Sequence, residues 1–150
     1  MTEKRYKADC TLKQIAKRIY NIRMEIEQAK VTYASAKLPS VSNFSGVSIS
    51  NGRKADSTGE TVLLREQTEK RIIALSKEID ELHGLFFGLL KYCDKDSAEI
   101  IKAYYLERKK ILNISIESYF SVDTCNRKLA SGRDAVYKRM VELLHPENEY

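Results

Sequence analysis

Two ladders of apolar residues constrain this chain more than any other feature. In the first, Ala8, Leu12, Ile15, Ile19, Ile22, Ile26, Ala29, Tyr33 and Ala36 follow one another in unbroken alternating steps of four and three. A mean step of 3.5 keeps them on one side of an α-helix, the heptad pattern of a coiled coil. A helix carrying the whole ladder is about 43 Å long at 1.5 Å per residue, more than one compact globule covers, so the seam requires a partner helix. Thr61, Arg65, Thr68, Ile72, Leu75, Ile79, Leu82, Phe86 and Leu89 supply it. This second ladder is polar in its first turns and strongly apolar in its last. Two seams of similar length predict an antiparallel helical hairpin, within one chain or completed by a second. A lone hairpin leaves Phe87 and Leu90 uncovered, so the heptads also predict a homo-oligomer.

The punctuation around the ladders sets their expected limits. Leu38-Pro39 stops the first helix, and a Ser-rich loop at 38–57 follows, its body Ser40 to Asp56. The alternation Val47-Ser48-Ile49-Ser50 hints at a short extended segment inside it. Ser57-x-x-Glu60 reads as a capping box opening the second helix, and Thr11-x-x-Gln14 reads as another, which leaves the first residues frayed or in an earlier turn. Gly84 and Gly88, four apart, are either a place for another helix to approach or simply tolerated near a helix end.

Beyond residue 93 the pattern changes to three shorter helices: Ser97 to Arg108, capped by Asp96-x-x-Glu99, then Ile114 to Tyr119, then Val122 to Leu144. On the last, Val122, Cys125, Leu129, Gly132, Val136, Met140 and Leu143 form an inward stripe. Ser121 stands where an N-cap belongs, Asp123 lies in the first turn, and Phe120 and Cys125 occupy the hydrophobic-staple positions. His145-Pro146 ends the helix. The expected fold class is therefore all-α: a long antiparallel coiled-coil helical hairpin over 1–93, followed by a C-terminal three-helix helix-turn-helix unit over 94–150.

A short helix, a tight turn and a long helix with a basic outward side is the outline of a helix-turn-helix DNA reader. At 100° per residue from Cys125, Arg127 points almost directly away from the core. An exposed Arg near the start of such a helix has the fork geometry to take guanine O6 and N7 together, while Thr124 and Ser131 suit bases or phosphates. Asp123, Asn126, Lys128 and Arg133 complete the candidate set on this helix, and Lys109 and Lys110 are candidate phosphate clamps in the link before it. The plainer reading of all these residues is the solvated side of an amphipathic helix and a solvated basic run.

Tyr104-Tyr105-Leu106, then Ile114 to Phe120, then Ser121-x-x-Thr124-Cys125-x-Arg127-Lys128-Leu129 resembles the fourth conserved region of bacterial sigma factors. It is similar too to the C-terminal part of small phage late-gene activators, which carry this arrangement behind a helical N-terminal half. The resemblance covers the last third of the chain. Gly132, inside the long helix, and a link about one residue longer depart from the family's pattern. The resemblance implies a sequence-specific, double-stranded-DNA-binding transcription regulator, phage or mobile-element encoded, with RNA polymerase as a partner.

Composition narrows the other classes. Among 150 residues 43% are hydrophobic, but there is no Trp and 31% are charged, which favours elongated helices over one thick core. The net charge of +5 and a pI near 9.0 are compatible with a nucleic-acid partner. Met1 to Lys37 holds nine basic against four acidic residues, Thr61 to Asp96 six against seven, and Ser97 to Leu144 nine against six. The basic first helix is read as a soluble coiled-coil surface ahead of a phosphate-binding one. Cys10, Cys93 and Cys125 are odd in number and far apart, and with no signal peptide they read as reduced thiols of a cytoplasmic protein. The longest apolar run, Leu85 to Leu90, is too short for a membrane span. His83 and His145 lack ligands at metal spacing, and no phosphate loop, dinucleotide turn or nucleophile arrangement is present. No enzyme, metal or cofactor is expected. The rival class is an interaction protein acting through its coiled coil on a host or phage protein, with a DNA-packaging adaptor as a further possibility.

Overall fold

The computed structural model describes residues 1–37 and 51–145. Of the described residues 88% are helical and none lies in a strand, so the chain is all-α. Helix α1 spans Glu3–Lys37 and α2 spans Asn51–Leu89. Helix α3, Lys95–Ile101, runs straight into a π-helical turn, Lys102–Leu106. Helices α4, Ile111–Ser118, and α5, Val122–Leu144, complete the order.

The compact units do not divide the chain at residue 93. One comprises Met1–Ile19 with Leu82–Tyr150, the other Tyr20–Glu81. In the second, Ile22, Ala29, Thr68 and Leu75 of the two ladders are buried. Glu25 meets Arg71 at 3.9 Å, and the Arg65 guanidinium lies 5.3 Å over the Tyr33 ring. Ascending positions on α1 thus meet descending positions on α2, and the helices run antiparallel there. In the first unit Ala8, Leu12, Ile15 and Ile19 share one buried cluster with Phe86, Leu89, Leu90, Ile100, Ile101, Tyr105, Ile114, Cys125, Leu129 and Val136. The start of the first ladder and the end of the second therefore serve the same core as the three C-terminal helices. Leu90, expected to be uncovered, is buried in it, whereas Phe87 is 45% exposed.

Several expected boundaries move. Helix α2 begins at Asn51, inside the stretch expected to be loop, and Ser57-x-x-Glu60 lies within the helix instead of opening it. Residues 51–60 contain no proline and include Arg53, Lys54 and Ala55, good helix formers, so propagation from an established helix carries through Gly52 and Gly59. The alternating Val47 to Ser50 segment and Pro146 lie outside the described residues. Thr11 is likewise interior to α1, because Ala8 and Leu12, one turn apart, are both buried and hold the helix past it. The cap of α3 is Asp94, whose carboxylate accepts from the Ser97 amide at 3.3 Å, while Asp96 falls in the first turn. Hydrogen bonding from Ser97 holds the Asp94 carboxyl below its ordinary pKa, with burial opposing.

Gly84 and Gly88 face open space: a Cβ on either meets nothing within 4 Å. Gly132 is the opposite case. A Cβ there would lie 2.3 Å from Ile101 Cδ1 and 3.6 Å from Ser97 Cβ. The glycine expected only to continue a stripe is where α3 and α5 touch, and the Cys93 thiol donates to its carbonyl at 3.6 Å.

Candidate nucleic-acid interface

Helix α5 starts as its sequence directs. Ser121 has an extended backbone, its hydroxyl accepts from the Thr124 amide at 3.1 Å, and Asp123 occupies the first turn. Before it, α4 ends at Tyr119 in the left-handed region with φ 63°. A tyrosine adopts that backbone at some cost. Local hydroxyls hold it: Ser115 donates to the Phe120 carbonyl at 2.5 Å and the Phe120 amide donates to Ser118 at 3.4 Å. The turn between α4 and α5 is thus three residues long, with Phe120 packed on the core and Cys125 fully buried.

The inward stripe of α5 is shorter than expected. Cys125, Leu129, Gly132 and Val136 are buried, whereas Val122 is 40% and Leu143 48% exposed. Those two lie at the ends of the helix.

The candidate residues separate into presented and occupied groups. Asp123, Asn126, Arg127 and Ser131 are exposed on the first half of α5. Thr124 is half-buried, and its hydroxyl accepts from Ser121 at 2.8 Å. Lys128 is drawn back, 3.8 Å from Asp96 and 5.3 Å over the Phe120 ring. Lys109 pairs with Glu117 at 2.7 Å and Glu107 at 3.3 Å, and these two carboxylates, Glu117 foremost, raise its pKa. Lys110 is exposed at the N-cap of α4.

Arg133 corrects the expected set most plainly, because its side chain is turned inward and only 12% exposed. Its Nε donates to the Tyr105 hydroxyl at 2.8 Å and its Nη2 to the Asp9 carboxylate at 3.2 Å. Tyr105 donates to the same carboxylate at 2.6 Å, and Lys13 completes the group at 3.0 Å. Burial pushes the Asp9 carboxyl up, but hydrogen bonds from Tyr105 and Lys13 and the Arg133 charge outweigh it, and its pKa ends below the ordinary value. Burial foremost, aided by the Asp9 hydrogen bond, raises the Tyr105 phenol. At 100° per residue Arg133 lies only about 80° from Cys125, on the flank of the buried stripe. That angle was available from the sequence; the buried partner, 124 positions away, was not.

The second half of α5 has a cover that sequence reasoning missed. Arg5 makes a two-pronged contact with Asp134 at 2.9 and 3.0 Å, and the Lys4 ammonium lies 5.9 Å over the Tyr137 ring. Asp134 and Tyr137 on the second half of α5 are therefore engaged by α1, whereas Asp123, Asn126, Arg127 and Ser131 on its first half are not.

A scan of family models matches none to this chain, and comparisons with curated proteins and with solved structures give no match. Among the described residues no group of His, Cys, Asp and Glu is placed to hold a metal, and no helix is long and apolar enough to cross a membrane.

Proposed function

We propose that the chain is a sequence-specific double-stranded-DNA-binding transcription regulator whose reading element is the N-terminal half of α5. The observation that carries this reading is the division of that helix. Cys125, Leu129 and Gly132 fix it to the core across a tight turn, while Asp123, Asn126, Arg127 and Ser131 stay exposed on its first turns. A recognition helix contacts base edges through its N-terminal residues, and Arg127 is the side chain with the length and fork to reach a guanine edge. The sigma-like residue pattern supports a phage or mobile-element activator, with RNA polymerase as partner. Pairing of two chains through the exposed apolar residues Val31, Leu63 and Ile73 would supply a second half-site.

One observation favours the interaction-protein reading. Leu112 and Ile116, one turn apart on the short helix, are 62% and 67% exposed, and Tyr119 at its cap is 96% exposed. Selecting bound fragments of the source genome with purified full-length protein separates the readings. Enrichment of a promoter site supports the regulator and of a packaging-start site the adaptor. No enrichment, with the protein folded, leaves the interaction protein.

A further inference from the structure

The first unit contains a concavity of about 330 Å³ lined by Lys13 and Lys17 of α1, by Tyr104, and by Arg108, Lys109 and Lys110 of the link before α4. Two segments more than eighty positions apart in sequence thus bring five cationic side chains around two tyrosines, Tyr104 and Tyr105. The fold itself engages three of them, Lys13, Lys109 and Arg108. Lys13 answers the buried Asp9, and Lys109 answers Glu107 and Glu117. Lys17 and Lys110 are exposed and make no ion pair among the described residues. Like charges gathered at one concavity repel and destabilise the compact state, and among the described residues no carboxylate lines the cleft to offset Lys17 and Lys110. An anion would.

We infer that this cleft binds a backbone phosphate of duplex DNA, with Lys17 and Lys110 as the charges that meet it and Tyr104 as a neighbouring wall. The inference rests on the DNA-binding reading and deepens it. It gives the basic first helix a phosphate-binding role in place of a solvated coiled-coil surface, and of the two candidate clamps Lys109 and Lys110 it keeps Lys110 and pairs it with Lys17. A phosphodiester is the anion of choice because a surface capable of reading bases belongs to the same unit, and readers are positioned on DNA chiefly by phosphate contacts.

Lys17→Gln and Lys110→Gln, singly and together, leave the Asp9 and Glu117 pairs intact and should remain folded by circular dichroism. Binding of the selected duplex and a scrambled duplex is measured from low to moderate salt. Each variant should weaken both duplexes by the same factor, leave their ratio unchanged, and reduce the slope of log K against log salt by about 0.9 for each lysine removed. Bound duplex should also protect Lys17 and Lys110 from acetylation in the parent protein, read by mass spectrometry. If the parent binds duplex but the variants keep its slope and both lysines acetylate freely, the cleft assignment is overturned and the recognition helix stands. If the parent binds no duplex at low salt, both fall, and acetylation protection by an acidic peptide would make the cleft a protein contact.

Discussion

Replacing Gly132 by Ala tests the close contact between α3 and α5. Two effects of opposite sign compete. A glycine in a helix interior costs about 1 kcal/mol relative to alanine, so the substitution alone should stabilise by about that much. Against this, the new Cβ would stand 2.3 Å from Ile101 Cδ1 and 3.1 Å from Ile101 Cγ1. Ile101 is fully buried, so its terminal methyl has little room to turn aside, and overpacking of this kind costs roughly 1–3 kcal/mol. Gly132→Ala should therefore lose about 1 kcal/mol net. Ile101→Val, which removes Cδ1, should lose about 0.5–1.5 kcal/mol as a single change. In the double variant the clash with Cδ1 is gone, the helix gain remains, and the alanine methyl occupies the space vacated. Its stability should lie within about 1 kcal/mol of the parent, leaving a favourable coupling of 1 kcal/mol or more. Denaturant unfolding of the four proteins gives the cycle. An additive cycle in which Gly132→Ala alone stabilises would refute the close approach of α3 to α5.

Two further perturbations follow from the buried polar group and the thiols. Asp9→Asn leaves the Arg133 guanidinium, 12% exposed, without its counter-charge and should cost about 3 kcal/mol in denaturant unfolding. Because the folded Asp9 pKa lies below its ordinary value, the parent's advantage should be full above about pH 5 and shrink as pH falls through the folded pKa, below roughly pH 4; an advantage that grows on acidification would contradict the pairing. Burial, aided by Asp94, pushes the Cys93 thiol up to about 11, and Cys125 is buried. At pH 8 iodoacetamide should therefore label Cys10 well before either of the others, as peptide mass spectrometry would show, and early labelling of Cys93 would be the contrary result.

Both ladders were legible in the sequence because a heptad seam needs only local periodicity: Ala8, Leu12, Ile15, Ile19 and Ile22 are all buried, as are Leu75, Phe86 and Leu89. The limits and cap of α5 were legible for the same reason, since Ser121, Asp123 and Cys125 act within one turn. What failed was of two kinds. Capping boxes at Thr11 and Ser57 were overridden by helices already propagating through them, a cooperative effect that a four-residue motif does not register. Long-range partners were invisible: nothing near Arg133 announces Asp9, nothing near Asp134 announces Arg5, and the Glu117 that occupies Lys109 lies across a bend. The π-helical turn, where the Glu107 amide reaches back to the Lys102 carbonyl at 3.1 Å, buries Tyr105 against that same Asp9 group, and its widening has no four-residue signature.

The proposed reading role of α5 is tested most directly at Arg127, which is exposed on the helix and makes no ion pair among the described residues. Binding of Arg127→Ala to the selected duplex, to each single-base variant of it and to a scrambled duplex should be measured at one fixed salt concentration. The account predicts a loss of about 1–3 kcal/mol on the selected site, relaxed preference at one base position, and a much smaller change on the scrambled duplex. Unchanged affinity and unchanged preference in a folded variant would contradict it.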